Sequence, residues 1–206
     1  MKAVLVSIHP KWVGKILDEK KTIEVRKTRP KIETPFKCYI YMTAGSRAWS
    51  DSPADIPDGW RKNSLGASRM VVAEFTCDKI ISTCGWRLIG DTGRCAPRTA
   101  DEATIPELSR LTLVELLAYA GSPNRILYGW HISGLKVYDK PKPLGDFTPH
   151  CEFMTDDMLT CDHKAVGCPY QNYDYNPWPD GSLNTVTCRK RMNRPPQSWC
   201  YVEDKA

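Results

Sequence analysis

The sequence lacks any apolar run that approaches the roughly 20 residues needed to span a bilayer. Its basic start is not followed by the apolar core of a secretory signal peptide. Hydrophobic residues make up 41% of the 206 residues and charged residues 26%, as in globular domains. We therefore expect a cytoplasmic protein that does not use a membrane, with one sizeable core or a domain and an appendage.

The sequence also lacks a large overall charge, since 29 Lys and Arg residues against 24 Asp and Glu residues leave +5. The excess is uneven, because residues 1–50 hold eleven basic residues against four acidic ones. A local basic surface favours partners that carry phosphate, such as RNA or nucleotides, although many non-binding proteins are equally basic.

The residues between Leu17 and Lys27 group several cations around one acid. Read with a period of two, this stretch is a strand with an apolar face and a face that carries a hydroxyl, a carboxylate and a guanidinium. Such a grouping suits a polar or anionic ligand, and a solvated edge strand with surface ion pairs is the alternative. The polar residues concerned are Lys20, Lys21, Thr22, Glu24 and Arg26.

A strand and a helix are predicted before this stretch. Residues 4–8 form a short apolar, β-branched run, and Pro10 suits the first turn of a helix. Trp12 and Ile16 then fall on one apolar helical face. The predicted order is strand, helix, tight turn and polar strand.

That order, together with residues 20–26, resembles the ASCH domain family, whose members are small β-barrels related to the PUA RNA-binding fold. The family motif is glycine, any residue, lysine, two residues, glutamate, any residue and arginine. Lys21, Glu24 and Arg26 match it, whereas Glu19 stands at the glycine position. Because a side chain disfavours a left-handed backbone, we expect the turn to differ from the family's. Residues 22–30 and 194–203 further resemble a phage and prophage branch.

The resemblance implies a nucleic-acid or nucleotide-binding module, related to RNA, with a cationic cleft. In such a module Lys21, Arg26 and Arg29, with a late basic patch that ends at Arg194, would contact phosphates and an aromatic side chain would contact the base.

The resemblance also implies an alternative, because some relatives are amidohydrolases that act on N4-acetylcytidine and others cut RNA. The amidohydrolases use a lysine, a threonine three residues later and a glutamate from a later strand. Lys21 takes the lysine position, Glu24 stands where threonine is expected, and Glu74 is the candidate for the last member. A desolvated lysine has a lowered pKa and can act as base or nucleophile. Whether the protein is an enzyme stays open here.

Further strands and a helix are predicted along the chain. Residues 36–43 and 70–81 read as strands, with Glu74 interrupting an apolar run, and residues 44–68 as a long insertion loop. Residues 113–120 read as a helix that Gly121 ends, within a helical insertion at about 104–121. Capping-box spacing occurs at Thr104 and again at Thr112.

A long bent strand is predicted over residues 126–138, and it carries His131. This histidine is a candidate acid–base or ligand-binding group; a hydrogen bond to neighbouring backbone is the alternative. The strand ends the predicted barrel domain, which covers residues 1–148.

Cysteines crowd the region that follows, an irregular extension at residues 149–198. Three thiols and one imidazole there are the ligand set of a Cys₃His structural zinc site, and free thiols are the alternative. A zinc-containing protein-interaction module of phage origin is accordingly a third functional hypothesis. Residues 199–206 are predicted to return to the barrel, giving an α+β fold with peripheral helices. The proposed metal ligands are Cys161, His163, Cys168 and Cys188.

Overall fold

The structure is a computed structural model that describes residues 2–44, 67–83, 99–122, 124–150 and 191–204, with four short strands beyond them. The helices are α1 (Pro10–Leu17), α2 (Ala100–Ser109) and α3 (Leu113–Ala120). The strands are β1 (Lys2–Ile8), β2 (Ile23–Arg26), β3 (Phe36–Met42), β4 (Met70–Cys77), β5 (Ile80–Ser82), β6 (Arg87–Ile89), β7 (Arg94–Ala96), β8 (Tyr128–His131), β9 (Ser133–Pro143), β10 (Gln171–Asn172), β11 (Thr187–Cys188) and β12 (Trp199–Glu203). Most of the predicted insertion loop and of the Cys-rich extension lies outside the described residues.

The larger sheet has the strand order β12-β1-β3-β4-β9. β1 and β3 are parallel, and the other neighbours are antiparallel. Successive side chains of a strand point to opposite faces, so Val4 and Val6 enter one core cluster whereas Ala3 and Leu5 enter another. The central strands β1 and β3 are therefore buried on both faces of the sheet, as their nearly continuous apolar sequences require, whereas the edge strand β9 is largely exposed.

The smaller sheet has the order β2-β8-β5 and lies between the larger sheet and two helices. Trp130 of β8 is fully buried in the first core cluster, while Ile23 of β2 packs with Ile105 of α2 and Leu116 of α3. Gly129 permits this packing, because a Cβ there would lie 2.9 Å from Ile23 Cγ2. Since the sheet is covered on both faces, the polar side chains of β2 are buried too.

The mixed α+β class is confirmed, with two main sheets and three helices in the described residues. β9 and β12 are the edges of the larger sheet, so closure into a barrel stays a prediction. β2 is an edge strand, but its burial shows that the solvated alternative is wrong.

Two local predictions need correction. The bent strand over residues 126–138 is two strands, β8 and β9, that change sheets around Ile132. The first capping box uses Thr99 and Glu102 rather than Thr104, whose hydroxyl donates to Asp101 O within the helix. The second capping box, at Thr112, and the helix that Gly121 ends are both confirmed.

Candidate ligand-binding cavity

Three buried charges meet on the polar face of β2. Glu24 Oε1 lies 2.8 Å from Arg26 Nη2, and Glu24 Oε2 lies 3.3 Å from Lys21 Nζ. Their residues are only 2 to 7% exposed, so solvent screens these charges little. One carboxylate therefore holds two cations, which leaves one excess positive charge inside the fold.

The turn between α1 and β2 places Lys21 in this group. Glu19, at the family's glycine position, has φ +55°, so a left-handed backbone forms here with a side chain present. That the turn differs from the family's stays a prediction. Beyond Glu19, Lys21 N donates to Lys15 O, and Lys21 Nζ donates to Ile23 O at 2.6 Å and to Ser109 O at 3.1 Å. These carbonyls and Glu24 supply three acceptors for the three protons of the ammonium.

Burial lowers the pKa of Lys21 below its ordinary value, and the neighbouring Glu24 opposes that change. Even so, a deprotonated amine would leave one of its three acceptors without a donor. The arrangement thus suits a fixed ammonium better than a free nucleophile.

Arg26 has donor capacity that the protein does not use. Its Nη2 donates to Ser7 O at 2.6 Å and its Nη1 to Ser198 Oγ at 3.4 Å, whereas Nε is buried and has no hydrogen-bond partner. Leaving a buried donor unpaired costs about 1–3 kcal/mol, and more when the group is charged. Because Nε has almost no accessible surface, a ligand oxygen would remove that cost only after the Arg26 side chain or a neighbour has moved.

This polar group lies against a cavity of about 400 Å³. Trp12 of α1 and Tyr119 of α3 supply aromatic walls, with Lys21 Nζ 5.7 Å from the Trp12 ring. Burial raises the pKa of Tyr119, so its hydroxyl keeps its proton at neutral pH. The cavity is lined by Ser7, Ile8, His9, Trp12, Lys21, Glu24, Val25, Arg26, Leu111, Glu115, Ala118 and Tyr119. Its volume lies within the range of small-molecule sites.

Three residues predicted from the same stretch lie outside the cavity lining. Lys20 is exposed and its Nζ donates to Asp18 at 2.9 Å. Thr22 makes two backbone hydrogen bonds, in which its N–H donates to Leu108 O and its carbonyl accepts from Ile132 N. Arg29 is exposed in a neighbouring groove.

Glu74 and His131 do not line the cavity either. Glu74 lies between Ala73 and Phe75, which face the first core cluster, so its side chain points to the opposite face of the larger sheet. There it accepts from Tyr138 Oη at 2.5 Å. His131 pairs with Ile23 across β2 and β8, and its Nδ1 lies 2.6 Å from Asp78 Oδ1. Directly paired residues share a face, so His131 is on the face opposite Glu24.

The zinc prediction stays untested by the described residues. Cys161, His163 and Cys168 lie outside them, and Cys188 is described only as part of the backbone of β11. Within the described part of the chain, no three His, Cys, Asp or Glu side chains are grouped to hold a metal ion.

Sequence reasoning missed the aromatic walls. The sequence pattern places Trp12 only on an apolar helical face, and it predicts no site residue in the helix that carries Glu115 and Tyr119. A usable signal existed, since Glu115 and Tyr119 are four residues apart and share one helical face. Which face of α3 meets β2, however, depends on tertiary packing.

A cationic cavity on the buried edge strand of an α+β domain is thus the candidate site. The chain is similar to the crystal structure of ASCH from Zymomonas mobilis, at 12% identity and a TM-score of 0.45, over 98% of this chain and 89% of that one. It is also similar to a tyrosine-to-phenylalanine variant of ASCH from the same organism, at 15% identity and a TM-score of 0.42, over 70% and 77% of the two chains.

No protein-family model matches the chain, and no curated protein matches it in sequence. Among the helices in the described part of the chain, none is long and apolar enough to cross a membrane.

Proposed function

We propose that the protein is a nucleotide- or nucleic-acid-binding module and that the cavity holds one base or nucleotide. The observation that carries the proposal is a cavity with one excess positive charge and aromatic walls, lined by Arg26, whose guanidinium has a donor that no described protein group uses. Base carbonyl and phosphate oxygens are suitable acceptors for a guanidinium. Trp12 and Tyr119 supply the flat apolar surfaces on which a base stacks.

Binding is favoured over hydrolysis because the charged groups are already committed to one another. Lys21 has three acceptors within the protein, and each oxygen of Glu24 faces a cation. Glu74, the third member of the amidohydrolase set, lies on the far face of the larger sheet. Among the described residues, the lowered pKa of Lys21 supports the alternative, a hydrolase acting on N4-acylcytidine or RNA.

The test measures binding of fluorescent mononucleotides to the protein and to two cavity variants. Tyr119→Ala removes an aromatic wall together with the hydroxyl that is hydrogen-bonded to the Arg26 side chain, and Arg26→Lys keeps the charge but lacks the unpaired donor. Base stacking on an aromatic residue contributes about 1–3 kcal/mol, so we expect Tyr119→Ala to weaken binding roughly tenfold.

Val114→Ala is the matched control for Tyr119→Ala, because Val114 is on the same helix, 76% exposed and not part of the cavity lining. Equal affinity in the native protein, Tyr119→Ala and Arg26→Lys, with all three folded, would contradict the proposal.

A further inference from the structure

Two basic grooves lie beyond the cavity. The first groove, of about 540 Å³, is formed by residues 27–33 and Tyr128. The second groove, of about 470 Å³, is lined by residues that include Lys2, His150, Arg194 and Tyr201. The family resemblance predicts a phosphate contact for one residue of each groove, Arg29 and Arg194, and gives the other lining residues no role.

Direct contacts connect the cavity to the first groove. Lys27 Nζ lies 4.9 Å from the centre of the Tyr119 ring, so one lysine contacts the cavity wall and also lines the first groove. Ser198, which precedes β12, accepts from Arg26 inside the fold. Its carbonyl also accepts from Ser7 N, and Ser7 lines the cavity.

β12 then connects the first groove to the second. Trp199 Nε1 donates to Thr28 Oγ1 at 2.9 Å, and Lys31 N donates to Tyr201 Oη at 2.6 Å. Trp199 and Tyr201 are two residues apart, so both rings are on one face of β12, and the two residues are spaced by about 7 Å along the strand. Because Tyr201 also lines the second groove, the three concavities follow one another along β12.

The surface along this path is cationic and interleaved with aromatic rings. Lys2, Lys27, Arg29, Lys31 and Arg194 line the two grooves, and within the described residues no carboxylate lies within 4 Å of their charged groups.

The rings beside these cations are those of Trp199 and Tyr201, both partly exposed, with centroids 5.4 Å apart. Glu33 is the acid among the residues of the first groove. Cations that follow a line past aromatic faces are typical of surfaces that bind single-stranded nucleic acid.

We propose that the cavity and the two grooves form one basic track for a single-stranded polynucleotide, with one nucleotide in the cavity and its neighbours along β12. This inference rests on the proposed function. It specifies that the ligand in the cavity is one nucleotide of a polynucleotide rather than a free nucleoside. A strand fits better than a duplex, since the aromatic rings contact bases only where these are unpaired.

The experiment compares a fluorescent mononucleotide with labelled single-stranded RNA and DNA of increasing length, measured by anisotropy at several salt concentrations. The track variant carries Arg29→Ala, Lys31→Ala and Arg194→Ala. The control variant carries Lys136→Ala, Lys140→Ala and Lys142→Ala, the same charge change on β9 at the opposite edge of the larger sheet.

We expect longer single strands to bind at least tenfold more tightly than the mononucleotide. Each phosphate contact contributes a slope of about −0.7 to log K against log salt for single strands, so the track variant should lose about two units of slope. The control variant should keep the native slope, and both variants should bind the mononucleotide as the native protein does.

The inference is overturned when mononucleotide binding persists but affinity does not depend on length, or when the track and control variants behave alike. It is also overturned when a duplex or polyglutamate binds as tightly as the single strand. The proposed function fails by a different result, the absence of any binding that Tyr119→Ala or Arg26→Lys weakens.

Discussion

Replacing Glu24 by Gln tests whether one carboxylate holds the cationic cavity together. The substitution keeps the size of the side chain but leaves Lys21 and Arg26, at present 3.3 and 2.8 Å from the carboxylate, buried without their counter-charge. Removing one partner of a buried ion pair costs about 3–5 kcal/mol. Domains commonly have only about 5–15 kcal/mol of unfolding free energy, so the loss is large but measurable.

Urea unfolding followed by tryptophan fluorescence is the assay, with the slope m checked for constancy so that a midpoint shift reports stability. Glu33→Gln is the control, because Glu33 is exposed and should change stability by less than about 0.5 kcal/mol. Adding Lys21→Met to Glu24→Gln removes one of the two uncompensated cations. The double variant should therefore be more stable than Glu24→Gln by about 1 kcal/mol or more.

Two results would refute this reasoning. A loss below about 1 kcal/mol in Glu24→Gln would mean that the two cations do not depend on the carboxylate. A double variant that loses the sum of the single losses would mean that Lys21 and Glu24 are not energetically coupled.

Three further predictions concern the turn, the buried lysine and the extension. Glu19→Gly should raise the unfolding free energy by roughly 0.5 kcal/mol. It removes the cost of about 1–2 kcal/mol of a left-handed residue with a side chain, but it also increases the entropy of the unfolded chain, which offsets part of the gain. Thermal unfolding, with Lys20→Ala as the control, measures the difference. The folded-state pKa of Lys21 is lowered, so between that pKa and about 10.5 the folded protein binds fewer protons than the unfolded chain. The unfolding free energy should therefore rise with pH across this window, and the rise should be absent in Lys21→Met. A protein prepared without chelators should carry stoichiometric zinc that Cys168→Ser releases, measured by metal emission; equal zinc in both proteins would contradict the predicted ligand set.

The local elements were predictable because they depend on neighbouring residues. Alternation placed Ile23 and Val25 on the face of β2 that packs against helices, with the charged residues on the other. The helix of residues 113–120 was predicted from its capping box and from Gly121, which has φ +77°. These signals need no knowledge of the tertiary structure.

Glu74 shows where such reasoning ends. A period of two says that Glu74 faces away from Phe75, but it does not say which face of the sheet the cavity is on. That depends on how β2 and β8 cross over the larger sheet, which is fixed by the burial of Trp130 and by contacts distant in sequence. The positions of Trp12 and Tyr119 in the cavity wall were not predictable for the same reason. Helical periodicity defines which residues share a face, but not which element packs against that face.

Glu19 shows a different limit. Statistics favour glycine where φ is positive, yet the cost of a side chain is small enough for the surrounding hydrogen bonds to impose the conformation. Glu19 N donates to Ile16 O and Lys21 N to Lys15 O, so the backbone on both sides of the residue is held by α1.

The pairing of β12 with β1 has a consequence for protein synthesis. Arg26 meets Ser198 across a separation of 172 residues, and Ser7 is bonded to the same late segment. A nascent chain still attached to the ribosome will thus have made β1, α1 and β2 long before β12 emerges to finish the wall beside them. The hydrogen bonds that Arg26 and Ser7 make with Ser198 can therefore form only after this late segment has emerged, however early the rest of the domain condenses.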